Sequence, residues 1–254
     1  MASIDLNSDI GEGYGPWTMG DDVAMLGVVS SANIACGGHA GDHETMYVTC
    51  RTAVERGVVI GAHPGYADRE GFGRRIIPMR ADEIGRMVVD QVGGLCAIAR
   101  LAGGEVRYVK PHGALGNLAA ADKAIAAGIV DAVRVAFPSL AILAISGTQL
   151  ELAARVAGVD VYSEIFADRA YQPDGLLVPR NQPGAMIHDA ESAAHRLLDY
   201  LDTGRMAVVG ADPIALAAHS VCVHGDTPGA VGMAEHIRAE LVRAGFVPRP
   251  FLPT

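Results

Sequence analysis

The stretch Ala102-Gly103-Gly104-Glu105-Val106-Arg107-Tyr108-Val109-Lys110-Pro111-His112-Gly113 holds one structural unit in miniature. An amphipathic segment, Ala81–Ala102, stops at Gly103, the residue type that usually ends a helix. A short β-rich run, Val106–Lys110, follows and breaks into charge, proline and glycine at Lys110-Pro111-His112-Gly113. The same order recurs on both sides. Strands are expected at Ser3–Asn7, Ala32–Ala35, Val58–Ala62, Val106–Lys110, Leu140–Ile145, Val159–Ser163, Met206–Gly210 and Val221–His224. Helices are expected at Asp21–Val29, His43–Arg56, Ala81–Ala102, Asp122–Phe137, Gln149–Ala157, Asp189–Leu201 and Ala230–Ala244, with Asp42 and Asp82 at N-cap positions. Strands alternating with helices build a parallel sheet whose helices lie outside it. Seven or eight such units in 254 residues, with no Pro/Ser-rich linker, predict an α/β fold: a single-domain parallel (β/α) barrel over residues 1–254. Met206–Ser220 reads equally as one strand and a helix or as two short strands, so seven and eight barrel strands both fit.

Composition narrows the function. Lys and Arg number 20 against 29 Asp and Glu, a net charge of −9, which argues against a nucleic-acid partner because neutralising phosphates needs a basic face. The N-terminal Met1-Ala2-Ser3-Ile4-Asp5-Leu6-Asn7-Ser8-Asp9 carries carboxylates where a signal peptide is apolar, and Leu140 to Ile145 is far short of the ~20 residues that span a bilayer. A cytoplasmic protein with no membrane partner is expected. Cys36, Cys50, Cys96 and Cys222 are widely spaced without C-x-x-C, which reads as reduced, buried thiols.

Parallel β/α barrels build their sites at the carboxyl ends of the strands, where loops from every unit converge. Those ends are loaded here. They carry Asn7, Asp9 and Glu12; His39; His63 followed by Arg69, Arg74 and Arg75; Lys110 and His112; Glu164, Asp168 and Arg169; and His224 with Asp226. The opposite connections, such as Glu55-Arg56-Gly57, hold little beyond turn residues. One histidine after a strand is readily explained as a loop cap, but His39, His63, His112 and His224, each within two residues of Gly or Pro, point to a shared site. Lys110, at a strand end, needs an anion, supplied either by a structural carboxylate or by a ligand. Gly11-Glu12-Gly13-Tyr14-Gly15-Pro16 fails G-x-G-x-x-G at its last position, and neither a Walker-type loop nor a G-x-S-x-G elbow is present. Asp42 as a helix cap leaves His39 in a loop, so His39 and His43 do not form a helical metal pair. Imidazoles and carboxylates with few thiols suit proton transfer or an O/N metal site, for which Asp9, His39 and His63 are the candidate ligands. Arg69, Arg74, Arg75, Arg169 and Arg180 suit a carboxylate or phosphate, so a small anionic substrate is expected, with Asn7 and Glu12 among its contacts.

Six blocks taken together carry a resemblance: Asp5-Leu6-Asn7-Ser8-Asp9-Ile10-Gly11-Glu12, Ser31-Ala32-Asn33-Ile34-Ala35-Cys36-Gly37-Gly38-His39-Ala40-Gly41-Asp42, Gly61-Ala62-His63-Pro64, Val109-Lys110-Pro111-His112-Gly113, Phe166-Ala167-Asp168-Arg169 and Cys222-Val223-His224-Gly225-Asp226. In this order they resemble the LamB/YcsF family. The resemblance implies a barrel related to sugar deacetylases and glycoside hydrolases. It also implies a part in the ATP-dependent opening of 5-oxo-L-proline to L-glutamate, with ATP and Mg2+ serving the complex and with 5-oxoprolinase B and C subunits as partners. In such chemistry Lys110 and Arg169 would stabilise developing phosphoryl charge. Asp9, His39, His63 and His112 would supply acid and base, while Glu164, Asp168, His224 and Asp226 orient them or hold a metal; Asn7, Glu12, Arg74, Arg75 and Arg180 would contact substrate. Two other readings are a free-standing metal-dependent amide hydrolase, such as a sugar deacetylase, and a non-catalytic subunit that binds a ligand and hands it on.

Overall fold

The computed structural model describes residues 2–226 and 229–252. In chain order its elements are β1 (Ser3–Ile10), α1 (Asp22–Met25), β2 (Ser31–Ala35), α2 (His43–Glu55), β3 (Val59–His63), α3 (Ala81–Leu101), β4 (Val106–Val109), α4 (Gly113–Ala121), α5 (Lys123–Ala136), β5 (Ala141–Ile145), α6 (Gln149–Val156), β6 (Val161–Phe166), α7 (Ala190–Thr203), β7 (Arg205–Met206), β8 (Ile214–Ala215), β9 (Ser220–Cys222), α8 (Ala230–Arg243) and β10 (Val247–Pro248). Strands β1 to β6 pair in sequence, all parallel; β9 pairs with both β6 and β1 and closes a barrel of seven strands. The ambiguous stretch after α7 contributes no barrel strand of its own. Its β7 and β8 form a separate antiparallel pair, and the chain re-enters the barrel only at β9.

Local chemistry explains most boundaries. Asp42 caps α2 by accepting from Thr45 N at 2.9 Å, as expected. Asp82 does not cap α3: Arg80 is the cap, its backbone N–H donating to Glu83, while Asp82 lies in the first turn paired with Arg80 and Arg86. The Asp21–Val29 helix shrinks to the single turn of α1, with Asp21 as its cap. Helix α3 buries Ile84, Val88, Val92, Leu95 and Ala99, the i, i+4 stripe that periodicity predicts, against the outside of the barrel. Each large member of that stripe contributes about 1.5–3 kcal/mol. Helix α4 and strand β10 are not expected from sequence; α4 is Gly- and Ala-rich and directly follows the polar strand end, which makes it resemble a loop. Among the described residues no helix is long and apolar enough to cross a membrane.

The barrel has two chemically different ends. At the amino ends of the strands Val59, Tyr108, Ala141 and Leu143 form an apolar plug, closed from below by Phe251 and Leu252 near the C-terminus. Gly61 makes the plug possible, because a Cβ there would lie 2.2 Å from the Tyr108 ring. Above this layer the interior turns polar.

Candidate active site

Alternate residues of a strand face the same side, so Asp5, Asn7 and Asp9 of β1 all point into the barrel. Two strands that sequence reading ends before polar loops in fact run on through their charges: Asp9 lies in β1 and Glu164 in β6. Lys110 directly follows β4, and its Nζ stands 2.9 Å from Asp9 Oδ1, 2.9 Å from Glu164 Oε1 and 3.1 Å from Cys222 Sγ. Asn33 Nδ2 donates to Asn7 Oδ1 at 2.7 Å and Asp9 Oδ1 at 2.8 Å, and Tyr108 OH donates to Asn33 Oδ1 at 2.6 Å. Asn7 Nδ2 donates to Glu164 and Ser220. Buried charges require such pairing. Burial pushes the Lys110 ammonium down, yet Asp9, Cys222 and Glu164 outweigh it and hold it well above the usual lysine range. Burial pushes Asp9 up, and His63 and Lys110 more than reverse this. For Glu164 burial wins over Lys110 and the carboxyl is raised. Lys110 therefore has the structural carboxylates that its position calls for, although it also lines the cavity above. Asn7 is fully committed to this floor and does not line the cavity, so the expected substrate contact is not what its side chain makes.

On the floor stands a cluster of Glu12, His39, His63 and His112, all buried, with one ligand-type atom of each within 4.8 Å of the others. His63 Nε2 lies 3.0 Å from His112 Nδ1; Glu12 Oε1 lies 3.1 Å from His39 Nε2 and 3.4 Å from His112 Nδ1. The His39 and His112 rings stack at 3.6 Å. Gly73, at φ 62°, lets the chain pass this stack, since a Cβ there would lie 2.6 Å from His39 Cβ and 2.9 Å from His112 Cδ2. Its neighbour Phe72 adopts φ 53°, a left-handed conformation that costs a non-glycine residue about 1–3 kcal/mol and typically persists at functional sites. That conformation accompanies a contact between the Phe72 carbonyl and His112 Nε2 at 2.9 Å. Burial, reinforced by neighbouring imidazoles, pushes His39 and His112 well below the usual histidine range. Burial and the charges of Asp9 and Asp226 push Glu12 well above the carboxylate range. The cluster is a donor set of the kind divalent metals take. It differs from the set expected from sequence: Glu12 and His112 join His39 and His63, whereas Asp9 gives one oxygen to Lys110 and holds the other 3.3 Å from His63 Nε2.

The third wall comes from the ends of β6 and β9. His224 Nδ1 lies 2.7 and 2.9 Å from the two oxygens of Asp168, and the backbone N–H of His224 also donates to that carboxylate. Burial raises the Asp168 carboxyl, but the His224 charge and hydrogen bonds outweigh it and hold it low. An ionised Asp168 accepts a hydrogen bond from the Nδ1–H of His224, which leaves Nε2 as the nitrogen free for chemistry. Arg74 pairs with Asp226, whose Oδ1 is buried without a partner among the described residues. Arg169 donates to Val178 O at 2.7 Å and to Ala185 O at 3.3 Å, and burial lowers its guanidinium to about 10. Arg180 lines the same cavity and has no hydrogen bond or ion pair among the described residues; burial and the nearby Arg74 lower it as well. The cavity is about 700 Å³, and its lining includes Asp9, Glu12, His63, Lys110, His112 and His224 together with Arg74, Arg169 and Arg180.

Not every expected residue belongs. Arg75 is bound to Asp68 and Glu70 and does not line the cavity; it braces the loop after β3. Arg69 lies over the Tyr14 ring and donates to the Gly37 and Gly41 carbonyls, which also makes it a loop clamp. His43 is exposed and pairs with Glu44. Sequence reading misses Asn33 and Tyr108 in the floor and the Phe72 carbonyl. Asn33 does carry a signal: Ser31 and Asn33 are alternate polar residues in an otherwise apolar strand, which places both inside the barrel.

The chain matches the LamB/YcsF family over residues 4–253. It is 51% identical over 251 residues to a protein of Mycobacterium avium (strain 104) that bears the name of the 5-oxoprolinase A subunit, covering 99% of this chain and 100% of that one. It superposes on the crystal structure of a lactam utilization protein from Thermus thermophilus with a TM-score of 0.91 at 39% identity, over 97% of this chain and 99% of that chain. A deacetylase solved with its substrate is similar in fold alone, with a TM-score of 0.51 at 12% identity over 98% of this chain and 88% of the other. A match over almost the whole length, with half the residues identical to a relative, establishes that this chain belongs to the LamB/YcsF family.

Proposed function

We propose that this chain is the A subunit of a 5-oxoprolinase, a cytoplasmic enzyme that hydrolyses the lactam of 5-oxo-L-proline to L-glutamate at the expense of ATP, in complex with B and C subunits. The observation that carries the reading is a single cavity lined by both acid–base groups and arginines, in a chain whose relative at 51% identity is named for that enzyme. A lactam carbonyl is a poor electrophile, and ATP with Mg2+, serving the complex, supplies phosphoryl activation of its oxygen. The residues of this chain do the rest. Arg180 and Arg169 have no carboxylate partner among the described residues, and such guanidinium groups suit the substrate carboxylate or a phosphoryl group. Asp9, held ionised beside Lys110 and 3.3 Å from His63 Nε2, stands where an attacking water can give up its proton. His224, its Nδ1–H held by Asp168, is placed to take up a proton on Nε2 and deliver it to the ring nitrogen as the carbon–nitrogen bond breaks, with the phosphoryl group released as inorganic phosphate. Lys110 acts on this chemistry through Asp9 as well as by its own charge.

The test is glutamate release from 5-oxoproline by the assembled A, B and C subunits. ATP-dependent release that disappears when this chain is withheld or carries His224→Ala supports the proposal, and unchanged release without this chain overturns it. The clustered Glu12 and histidines favour a second reading, a free-standing metal-dependent amide hydrolase. That reading requires amide hydrolysis by this chain alone, with metal and without ATP.

A further inference from the structure

The hydrogens of the histidine cluster do not balance without a cation. His63 Nδ1 lies 2.7 Å from the Lys110 carbonyl, and His112 Nε2 lies 2.9 Å from the Phe72 carbonyl. A carbonyl oxygen only accepts, so each of these ring nitrogens must carry the hydrogen. In the neutral rings the other nitrogens, His63 Nε2 and His112 Nδ1, then hold lone pairs. These two atoms face each other at 3.0 Å, Glu12 Oε1 lies 3.4 Å from His112 Nδ1 and 3.1 Å from His39 Nε2, and one ligand-type atom of each of the four residues lies within 4.8 Å of the others. A single proton can bridge two of the four atoms. A metal ion engages all four.

We propose that Glu12, His39, His63 and His112 form a four-coordinate site for a first-row divalent transition metal of the zinc type. Ligands set tetrahedrally at the roughly 2.0–2.1 Å zinc bond lengths of nitrogen and oxygen lie about 3.3–3.4 Å from one another. The separations of 3.0, 3.1 and 3.4 Å in the cluster approach that edge, and closing on an ion requires the stacked, parallel rings of His39 and His112 to turn until their nitrogens face a common point. Donation of the far ring N–H to a backbone carbonyl is the usual support for a metal-bound histidine, and His63 and His112 both have it. Three nitrogens and one carboxylate oxygen select zinc, cobalt or a similar ion over magnesium or calcium, which prefer all-oxygen shells. Glu12, His63 and His112 line the cavity whereas His39 is shut behind them, so an ion bound here would be presented to the cavity by three of its four ligands. The inference stands on geometry and does not depend on the 5-oxoprolinase reading.

The experiment uses the tag-free full chain, stripped with chelator and titrated with Zn2+ or Co2+. Expected is saturable binding of one ion per chain, with the intense visible absorption of four-coordinate Co2+. Glu12→Gln and His112→Gln should each weaken binding by more than the roughly 10–100-fold that loss of an outer-shell partner costs. The exposed His43→Ala should leave it unchanged. No saturable binding, or binding indifferent to Glu12→Gln and His112→Gln, overturns the proposal. Because these variants alter a buried cluster, imidazole 15N shifts of the wild-type chain give a second readout. His63 Nε2 and His112 Nδ1 should report lone pairs that move on adding Zn2+; a proton shared between them that persists in excess Zn2+ overturns the site.

Discussion

Lys110→Met replaces the buried cation of the barrel floor with an apolar side chain of similar length. Lys110 Nζ sits 2.9 Å from both Asp9 and Glu164, with 6% of its side chain exposed, so the two carboxylates would lose their common counter-charge in a dry interior. Removing one partner of a buried ion pair typically costs about 3–5 kcal/mol, a large share of the roughly 5–15 kcal/mol by which a domain is stable. For a chain of this size that corresponds to a fall in Tm of roughly 6–20 °C. The sequence leaves open whether Lys110 answers a structural carboxylate or a ligand; the floor geometry predicts lost stability as well as lost activity. Urea unfolding followed by circular dichroism at pH 7.5 measures it. Glu164→Gln leaves Lys110 and Asp9 as a balanced pair and should change stability by no more than about 1–1.5 kcal/mol, the scale of one hydrogen bond. The double variant should recover part of the Lys110→Met loss, with an interaction of about 0.5–3 kcal/mol. The penalty should also shrink as pH falls, because Asp9 and Glu164 can then take up the protons that replace the missing cation. A Lys110→Met chain within about 1 kcal/mol of wild type, at unchanged m-value, would refute the view that this lysine balances the floor.

Other consequences can be measured separately. Burial raises Asp5 from 3.8 to about 6, against the hydrogen bonds from Ser220, Ser30 and Ser31. A raised folded-state pKa gives stability that is present below the unfolded value and lost as pH rises through the folded one, here about 3 kcal/mol between roughly pH 4 and pH 7. Asp5→Asn should remove that slope, and urea midpoints with the same pH dependence in variant and wild type would rule the assignment out. Asp168→Asn should lower Tm at neutral pH, because a carboxyl held low by His224 stabilises the fold when ionised, and should lower kcat of the assembled enzyme by about 10²–10⁴, the range of general acid–base effects; steady-state glutamate formation on the folded variant decides. Gly61→Ala, forced against the Tyr108 ring, should destabilise by about 1–3 kcal/mol or more without altering KM, and an unchanged Tm would contradict the described packing of the plug.

The fold is legible because the βα period is local: Val106–Val109, its flanking glycines and the α3 stripe each carry their signal within a few residues. Closure at seven strands is not, because whether β7 joins the barrel depends on pairing with strands far away in sequence. In the site, sequence reading finds all four histidines near the cavity since each follows or ends a strand. It does not tell apart the arginines. Arg74 and Arg75 are neighbours, yet one reaches Asp226 at the cavity and the other Asp68 in its own loop. The choice is made by loop conformation, including the positive φ of Phe72 and Gly73, for which no periodicity exists. Charge in a strand looks unfavourable, which assigns Asp9 and Glu164 to loops; that inference fails where the barrel interior itself is polar.

That polar interior ties stability to chemistry through Asp9. Its Oδ1 belongs to the floor, taking hydrogen bonds from Lys110 and Asn33, while its Oδ2 lies 3.3 Å from His63 Nε2 in the cluster above. The apolar contacts that hold the molecule together lie mostly between strands and helices, outside the barrel. The interior is thereby left to hydrogen bonds and ion pairs, which have direction where apolar contacts have none. Asn33 and Lys110 fix the position of one Asp9 oxygen, and the rigid carboxylate then fixes the other against His63. A change to the floor, even one that never touches the cavity, must therefore alter the field at the histidines. Asn33, buried beneath the cavity and outside its lining, is thus a residue whose loss should reach the chemistry through Asp9.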